Sequence, residues 1–316
     1  MSADTLPDFV LPFEVKPLGI RGRIVRMGPV IDDILSRHDY PEPVSALLAQ
    51  AVALSALLGT ALKFDGKFIL QTKTDGPISM LVADFVSPNG VRATARFDKP
   101  ALALVHARNE KALLGGGHLA MTIDQGADME RYQGIVALGD ATLADAAHTY
   151  FMQSEQIPTR LRLAAGPIVL RGEKAARWRV GAILVQHLPR DGGISAIPFS
   201  SGDLPEGYTE ETREHDDWVK ARLIIDTVED HELLDPQLSA EELLYRLYHE
   251  DGVTVYPSTQ LQRHCTCSKE TVRTMLHGFS AQERHDMVED GHIKVTCEFC
   301  STTYGFTAAE AAATEA

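Results

Sequence analysis

The sequence predicts an α+β protein in three parts. An N-terminal domain of antiparallel sheet and helix covers 1–199, an acidic helical linker covers 200–252, and a small cysteine-bearing module covers 253–316. Three observations carry this expectation. Strand-like runs, several alternating apolar and polar, recur between Ile20 and Leu188 and are broken by helix-like stretches, the mark of sheet mixed with helix. Sixteen acidic residues against four Lys or Arg fall between Asp203 and Asp251, so that segment carries −12 of the formal −14. All four cysteines lie in Cys265-Thr-Cys267 and Cys297-Glu-Phe-Cys300, with twenty-nine residues between the pairs.

Taken in order, Ile20 to Met27 alternates weakly and reads as a strand, and Val30 to His38 as a short helix stopped by the polar HDYPEP turn. Val44 to Leu62 is apolar on most faces and predicts a helix central to the first domain. Beyond Lys63-Phe-Asp-Gly the period falls to two: Lys67 to Thr74 and Ile78 to Val86 read as strands, Ser87-Pro-Asn-Gly as a turn, and Val91 to Asp98 as the hairpin partner. Further strands are expected at His118 to Ile123, Arg131 to Leu138, Pro158 to Ala165 and Val180 to Leu188, with a helix over Thr142 to Glu155. The three glycines of 113-LLGGGHL-119 lack the Lys-Ser/Thr of a phosphate loop and the spacing of a dinucleotide fingerprint, so they read as a turn. The twelve histidines are scattered, and a surface position is the expectation for each.

The acidic stretch is more than a charged tail. Trp218, Ala221, Ile225 and Val228, then Leu243, Leu244 and Leu247, recur at helical spacing, and Ser239-Ala-Glu-Glu242 is a capping box. Its like charges repel and its apolar stripe is modest, which predicts a linker of marginal stability held partly by its neighbours. An ordinary acidic face of a helical subdomain fits the same residues.

In the last part, short helices are expected at Lys269 to Leu276 and Ala281 to Glu289, the second opened by the capping box Ser280-Ala-Gln-Glu283 and stopped by Gly291. HIKVTCEFCSTTYGF reads as strand, knuckle turn, strand. Four thiolates in two close pairs suit a closed tetrahedral Zn²⁺ site, which leaves no position for a catalytic water. The part is therefore expected to be a zinc-binding module with one Zn²⁺ on Cys265, Cys267, Cys297 and Cys300. Four buried thiols or two structural disulfides are the plainer readings, and neither explains the clustering. His264, His277, His285 and His292 fall in the module, but four thiolates already complete the shell. Zn–S bonds of about 2.3 Å keep tetrahedral sulfurs roughly 3.8 Å apart, whereas a disulfide needs about 2.05 Å. Metal binding and pairing inside the quartet therefore exclude each other, and pairing would remove folding free energy on the order of 10 kcal/mol.

Composition narrows the function. The chain has 316 residues and 44% hydrophobic content, enough for a substantial core. A net charge of −14 repels phosphate backbones and argues against nucleic acid as a partner. The start MSADTLPDFVLPFEV has no signal-peptide pattern, and the alanine-rich Pro43 to Leu62 stretch carries Ser45, Gln50, Ser55 and Thr60, so no membrane partner is expected. Thiols gathered in one metal site point to a reducing cytoplasm.

The stretches CTCSKE, EDGHIKVTCEFC and STTYGF, with RLYHEDGVTVY upstream, resemble the redox-regulated heat-shock chaperones of bacteria, the heat shock protein 33 family. HDYPEPV, LKFDG, RYQGIVALGD and YFMQSEQIPTRLRLA resemble family stretches in family order, so the likeness runs from about Ile20 to Phe306. Two departures are Arg263, where the family often has phenylalanine, and a longer segment around Arg190 to Pro198. The resemblance implies an ATP-independent holdase rather than an enzyme, inactive when reduced and zinc-bound. It implies activation by Cys265–Cys267 and Cys297–Cys300 disulfides, zinc release, linker unfolding and homodimerisation. Its clients would be unfolding or oxidatively damaged proteins, protected from aggregation under oxidative and heat stress.

Two other functions share the cysteines. A zinc-ribbon nucleic-acid binder needs a basic face that the charge denies it. A thiol-disulfide oxidoreductase using Cys297 and Cys300 would want a following helix N-terminus to lower a thiol pKa, and the motif instead opens onto a strand.

Overall fold

The computed structural model of the protein describes residues 8–312 apart from 62–64, 107–108, 127–130, 140, 171 and 189–215. The segment around Arg190 to Pro198 and the start of the acidic stretch lie outside the described residues.

The N-terminal part runs β1 (Phe9–Val15), β2 (Ile20–Met27), α1 (Pro29–Ser36), α2 (Glu42–Gly59), β3 (Lys67–Thr74), β4 (Met80–Val86) and β5 (Gly90–Arg96). It continues through α3 (Lys99–Leu102), α4 (Glu110–Leu114), β6 (Gly117–Asp124), β7 (Tyr132–Ala137), α5 (Leu143–Tyr150), β8 (Thr159–Val169) and β9 (Ala176–His187). The acidic segment forms α6 (Asp216–Asp226), α7 (Asp230–Leu234) and α8 (Ala240–Tyr248). Three two-residue strands follow, β10 (Thr254–Val255), β11 (Thr259–Gln260) and β12 (Gln262–Arg263), and then α9 (Lys269–His277), α10 (Ala281–Asp286), β13 (His292–Thr296), β14 (Thr303–Thr307) and α11 (Ala308–Ala312).

The architecture is α+β, as expected. One sheet has the order β10-β1-β2-β9-β8 with β11 also on the β1 edge; the second has the order β12-β5-β4-β3-β6-β7. The pairings are antiparallel except for β12 on β5. Helix α2 lies between the two sheets, against β3, β4 and β5 on one side and β2, β8 and β9 on the other. Of its residues 78% are buried, which explains both its apolar faces and how a helix of membrane-spanning length serves as a core element.

The first sheet is covered on both faces. Val10, Val25, Ala182 and Leu184 face the α2 core, while their neighbours Leu11, Ile24, Ile183 and Val185 join a second cluster with Trp218, Ile225, Leu243 and Leu244 of the acidic helices. Burial on both faces makes β9 a continuous apolar run instead of an alternating one. It also hides β1, where Pro12 interrupts the pattern and no strand is expected from sequence.

The acidic helices are seated by complementary chemistry. Arg26 on β2 is 2% exposed and donates through Nη1 to the carbonyls of Asp235 (2.8 Å) and Leu238, and through Nη2 to that of Glu232 at 2.7 Å. Burial pulls its pKa down to about 10, with the neighbouring Arg179 charge adding to the effect. Arg160 pairs with Asp226 at 2.5 Å and Arg162 with Asp230 at 3.3 Å, so arginines of β8 offset part of the segment's self-repulsion. At Gly181 a Cβ would come 2.4 Å from the Leu233 carbonyl oxygen, so the missing side chain lets α7 lie directly on β9. The expected Ser239 and Glu242 capping box is present, with reciprocal bonds of 3.1 and 3.0 Å.

Candidate metal centre and its docking surface

Each cysteine pair is positioned by a local bend. Cys265 and Cys267 follow β12, and Ser268 accepts a bond from the Thr271 N–H to open α9 directly behind them. Cys297 and Cys300 stand in the turn joining β13 to β14, closed by Cys297 N–H to the Thr302 carbonyl (3.0 Å) and Ser301 N–H to the Cys297 carbonyl (2.9 Å). That turn is the knuckle expected from sequence.

The four Sγ atoms lie within 4.8 Å of one another. Individual separations are 3.3 Å for Cys265 and Cys267, 3.8 Å for Cys265 and Cys297, and 3.3 Å for Cys267 and Cys300. The Cys265–Cys297 separation equals the edge of a tetrahedron of sulfurs around zinc, about 3.8 Å, and the two 3.3 Å separations are shorter than it. The donor set could hold a metal ion of soft preference, and four sulfurs favour Zn²⁺ over the oxygen-seeking divalent ions. Since Cys267 is as near Cys300 as it is Cys265, distance alone selects no disulfide pairing. Among the described residues no histidine joins the cluster; His285 and His292 are exposed.

The thiols are not equivalent. Burial pushes Cys265 up to about 12, and burial likewise raises Cys297. At Cys300 burial acts in the same direction, but the Thr302 hydroxyl and backbone and the thiols of Cys267 and Cys297 outweigh it and bring the pKa down to about 6. The Tyr304 hydroxyl donates to Cys267 Sγ at 3.3 Å. A bound cation would favour the thiolate at all four positions. Among the described residues the module's own buried cluster is Val272, Leu276, Ile293, Phe306 and Ala311, a small core that suits a metal staple.

The knuckle is docked on the N-terminal part by contacts that sequence reasoning missed. His38 stacks on Tyr40 with ring centroids 4.6 Å apart, and its Nδ1 lies 3.0 Å from Ser301 Oγ and its Nε2 3.3 Å from the Phe299 carbonyl oxygen. Arg92 places its guanidinium 4.1 Å from the Phe299 ring centroid, held by the buried Asp84 carboxylate at 2.7 Å, and reaches Thr266 Oγ1 at 3.2 Å. Arg96 pairs with Glu298 at 2.8 Å, and Arg263 with Asp33 at 2.5 Å. The surface expectation for histidines therefore fails at His38. It fails also at His148, whose Nε2 accepts the Leu161 N–H at 3.0 Å and whose pKa burial lowers.

Residues 8–307 match the family model described as Hsp33 protein. The chain is 43% identical over 304 residues to the 33 kDa chaperonin of Caulobacter vibrioides strain NA1000, covering 95% of this chain and 94% of that protein. It is 34% identical over 294 residues to the 33 kDa chaperonin of Escherichia coli O7:K1, covering 93% and 90%. The crystal structure of the 33 kDa chaperonin (heat shock protein 33 homolog) from Thermotoga maritima shares the fold, with a TM-score of 0.76, 21% identity and coverage of 97% of each chain.

Proposed function

The chain belongs to the Hsp33 family, whose members bear the name of chaperones, and on that premise we propose that it is a redox-gated, ATP-independent holdase. One observation supports this most: the four thiols stand just beyond a strap, residues 254–263, that leads from helices covering an apolar sheet face. Whatever disturbs the thiols is thereby connected to the cover.

Reduced, Cys265, Cys267, Cys297 and Cys300 would hold one Zn²⁺ as thiolates and the protein would bind clients weakly. When bound, the ion would supply the cross-link that so small a core lacks. Oxidation by peroxide joins Cys265 to Cys267 and Cys297 to Cys300, the pairing that the family likeness suggests. Each disulfide takes two thiolates, two protons and one hydrogen peroxide and yields two waters, so both together consume two peroxides and leave no thiolate to hold the ion. The knuckle then loses its shape, the contacts of His38, Arg92 and Arg96 lapse, and the strap that continues from α8 loses its anchored far end. Trp218, Ile225, Leu243 and Leu244 leave the sheet, and Leu11, Phe13, Ile24 and Ile183 become available to unfolded proteins. Homodimerisation of the oxidised form and a cytoplasmic setting belong to the same reading, as do stress-damaged proteins as clients in the absence of nucleic acid or membrane.

Light scattering from a thermally unfolding client, with zinc release followed alongside, tests the proposal. Protection should appear only after peroxide and accompany loss of about one Zn²⁺ per chain. Equal protection before and after peroxide would leave a chaperone with a structural metal, and the gating would be wrong.

A further inference from the structure

The strap itself carries one more inference. Residues 254–263 cover the edges of both sheets: β10 and β11 lie antiparallel on β1, with Phe13 opposite Val255 and Val10 opposite Thr259, and β12 lies parallel on β5, with Arg263 opposite Val91. Most of the attachment is backbone. Tyr256 N–H donates to the Pro12 carbonyl at 2.9 Å, Leu261 N–H to that of Asp8 at 2.8 Å, Gln262 N–H to that of Asn89 at 3.0 Å and His264 N–H to that of Val91 at 2.8 Å. Polar side chains add to it, with the Tyr256 hydroxyl donating to Glu14 at 2.6 Å, Asn89 Nδ2 to the Gln260 carbonyl at 2.9 Å and Arg263 pairing with Asp33. Little apolar surface is buried, however: Val255 and Tyr256 are 41% and 43% exposed, and of the apolar residues in the strap only Leu261 is buried.

A seat built mainly from backbone bonds recognises extended backbone and asks for little apolar side-chain burial. Each pairing is two residues long, and a net hydrogen bond is worth about 1 kcal/mol, so the strap is displaceable once its ends are free. One end continues into the acidic helices and the other reaches Cys265 directly after His264. An uncovered edge is a template for another strand. Unfolded proteins share no side-chain pattern, but all present extended backbone.

We propose that the outer edges of β1 and β5, uncovered when the strap leaves, hold extended segments of unfolded client polypeptide by strand addition. The inference rests on the holdase reading and names where, beyond the apolar face, the client would bind. Pro12 has no N–H to offer, and a side chain at Gly90 would meet His264 Cβ at 2.6 Å, so each edge admits a strand closely but discontinuously, as the strap itself binds.

The test uses the full chain with photoreactive benzoylphenylalanine in place of Glu14 on the β1 edge, of Asn89 beside the β5 edge, or of the exposed Tyr245 on α8 as a comparison. Zinc content and peroxide response confirm that each variant is intact. Irradiated while reduced, the Glu14 and Asn89 positions should cross-link within the chain to the strap. Irradiated after oxidation with a chemically unfolded client, they should cross-link to the client several-fold more than in the reduced sample and more than the Tyr245 position. If the oxidised protein prevents aggregation while neither edge position reaches the client, the edge proposal is overturned and the holdase reading stands. Cross-links joining two copies of the chain would assign the edges to self-association and overturn it too. Failure to prevent aggregation in either state would remove the holdase reading, and the edge proposal with it.

Discussion

Arg26 on the first sheet donates through Nη2 to the carbonyl oxygen of Glu232 at 2.7 Å, across 206 residues of chain. With its bonds to Asp235 and Leu238, this buried guanidinium fastens the turn between α7 and α8 to the sheet it covers. Replacing it with methionine keeps the apolar stem and strands three carbonyls. Arg26→Met should weaken seating of the acidic helices by about 2–4 kcal/mol, since bonds to charged groups are worth about 1.5–3 kcal/mol each and are not additive. Limited proteolysis of the reduced protein should then cut within 216–252 faster than in the parent, with thiols and zinc content unchanged.

Gly181→Ala probes the same seat by shape. The added Cβ would meet the Leu233 carbonyl oxygen at 2.4 Å, so α7 must lift from β9. Overpacking of this kind costs roughly 1–3 kcal/mol. The reduced variant should bind a hydrophobic dye more strongly than the parent and show partial client protection without peroxide. Leu54→Ala, at a fully buried position of α2, should instead lower the stability of the N-terminal part by about 2–5 kcal/mol.

Acid should loosen the strap at Asp33. Burial alone would raise this carboxyl, but the hydrogen bond from Arg37 and the charge and bond of Arg263 outweigh it, so the folded pKa lies below the ordinary 3.8. A depressed carboxylate pKa gives stability that is complete above the unfolded value and lost as pH falls through the folded one. Protection of the His264 amide should therefore decline below about pH 3.8 in the parent and be weaker and flatter in Asp33→Asn. At 41% exposure the pair is worth under about 1 kcal/mol.

Cys267→Ser should lower bound zinc well below one per chain, because a neutral hydroxyl replaces a thiolate ligand. Metal analysis checks this directly. The same variant should make 216–252 more protease-sensitive in reducing buffer, which would tie the thiols to the cover without any oxidant.

The bounds of β2 and β3 and the burial of Trp218, Ile225, Leu243 and Leu244 were legible because each follows a local period. The cysteine cluster was legible because soft ligands in close pairs have few other uses. Strand β1 was not, since Pro12 and burial on both faces erase alternation. The strap was not either: two-residue strands held by backbone bonds leave no pattern, and their partners lie about 170 to 250 positions away. His38 and Arg92 look like ordinary polar residues until the fold brings Ser301 and Phe299 beside them. Arg263, which stood out in the sequence as a departure from the resemblance, pairs with Asp33.

Under the proposed function, thiol chemistry controls the cover of the first sheet. Amide hydrogen exchange on the full chain, reduced with zinc and then oxidised by peroxide, tests it most directly. Oxidation should strip protection from 216–264 and leave β3, β4 and α2 protected. Full protection of 216–252 in the oxidised, zinc-free protein would contradict the coupling.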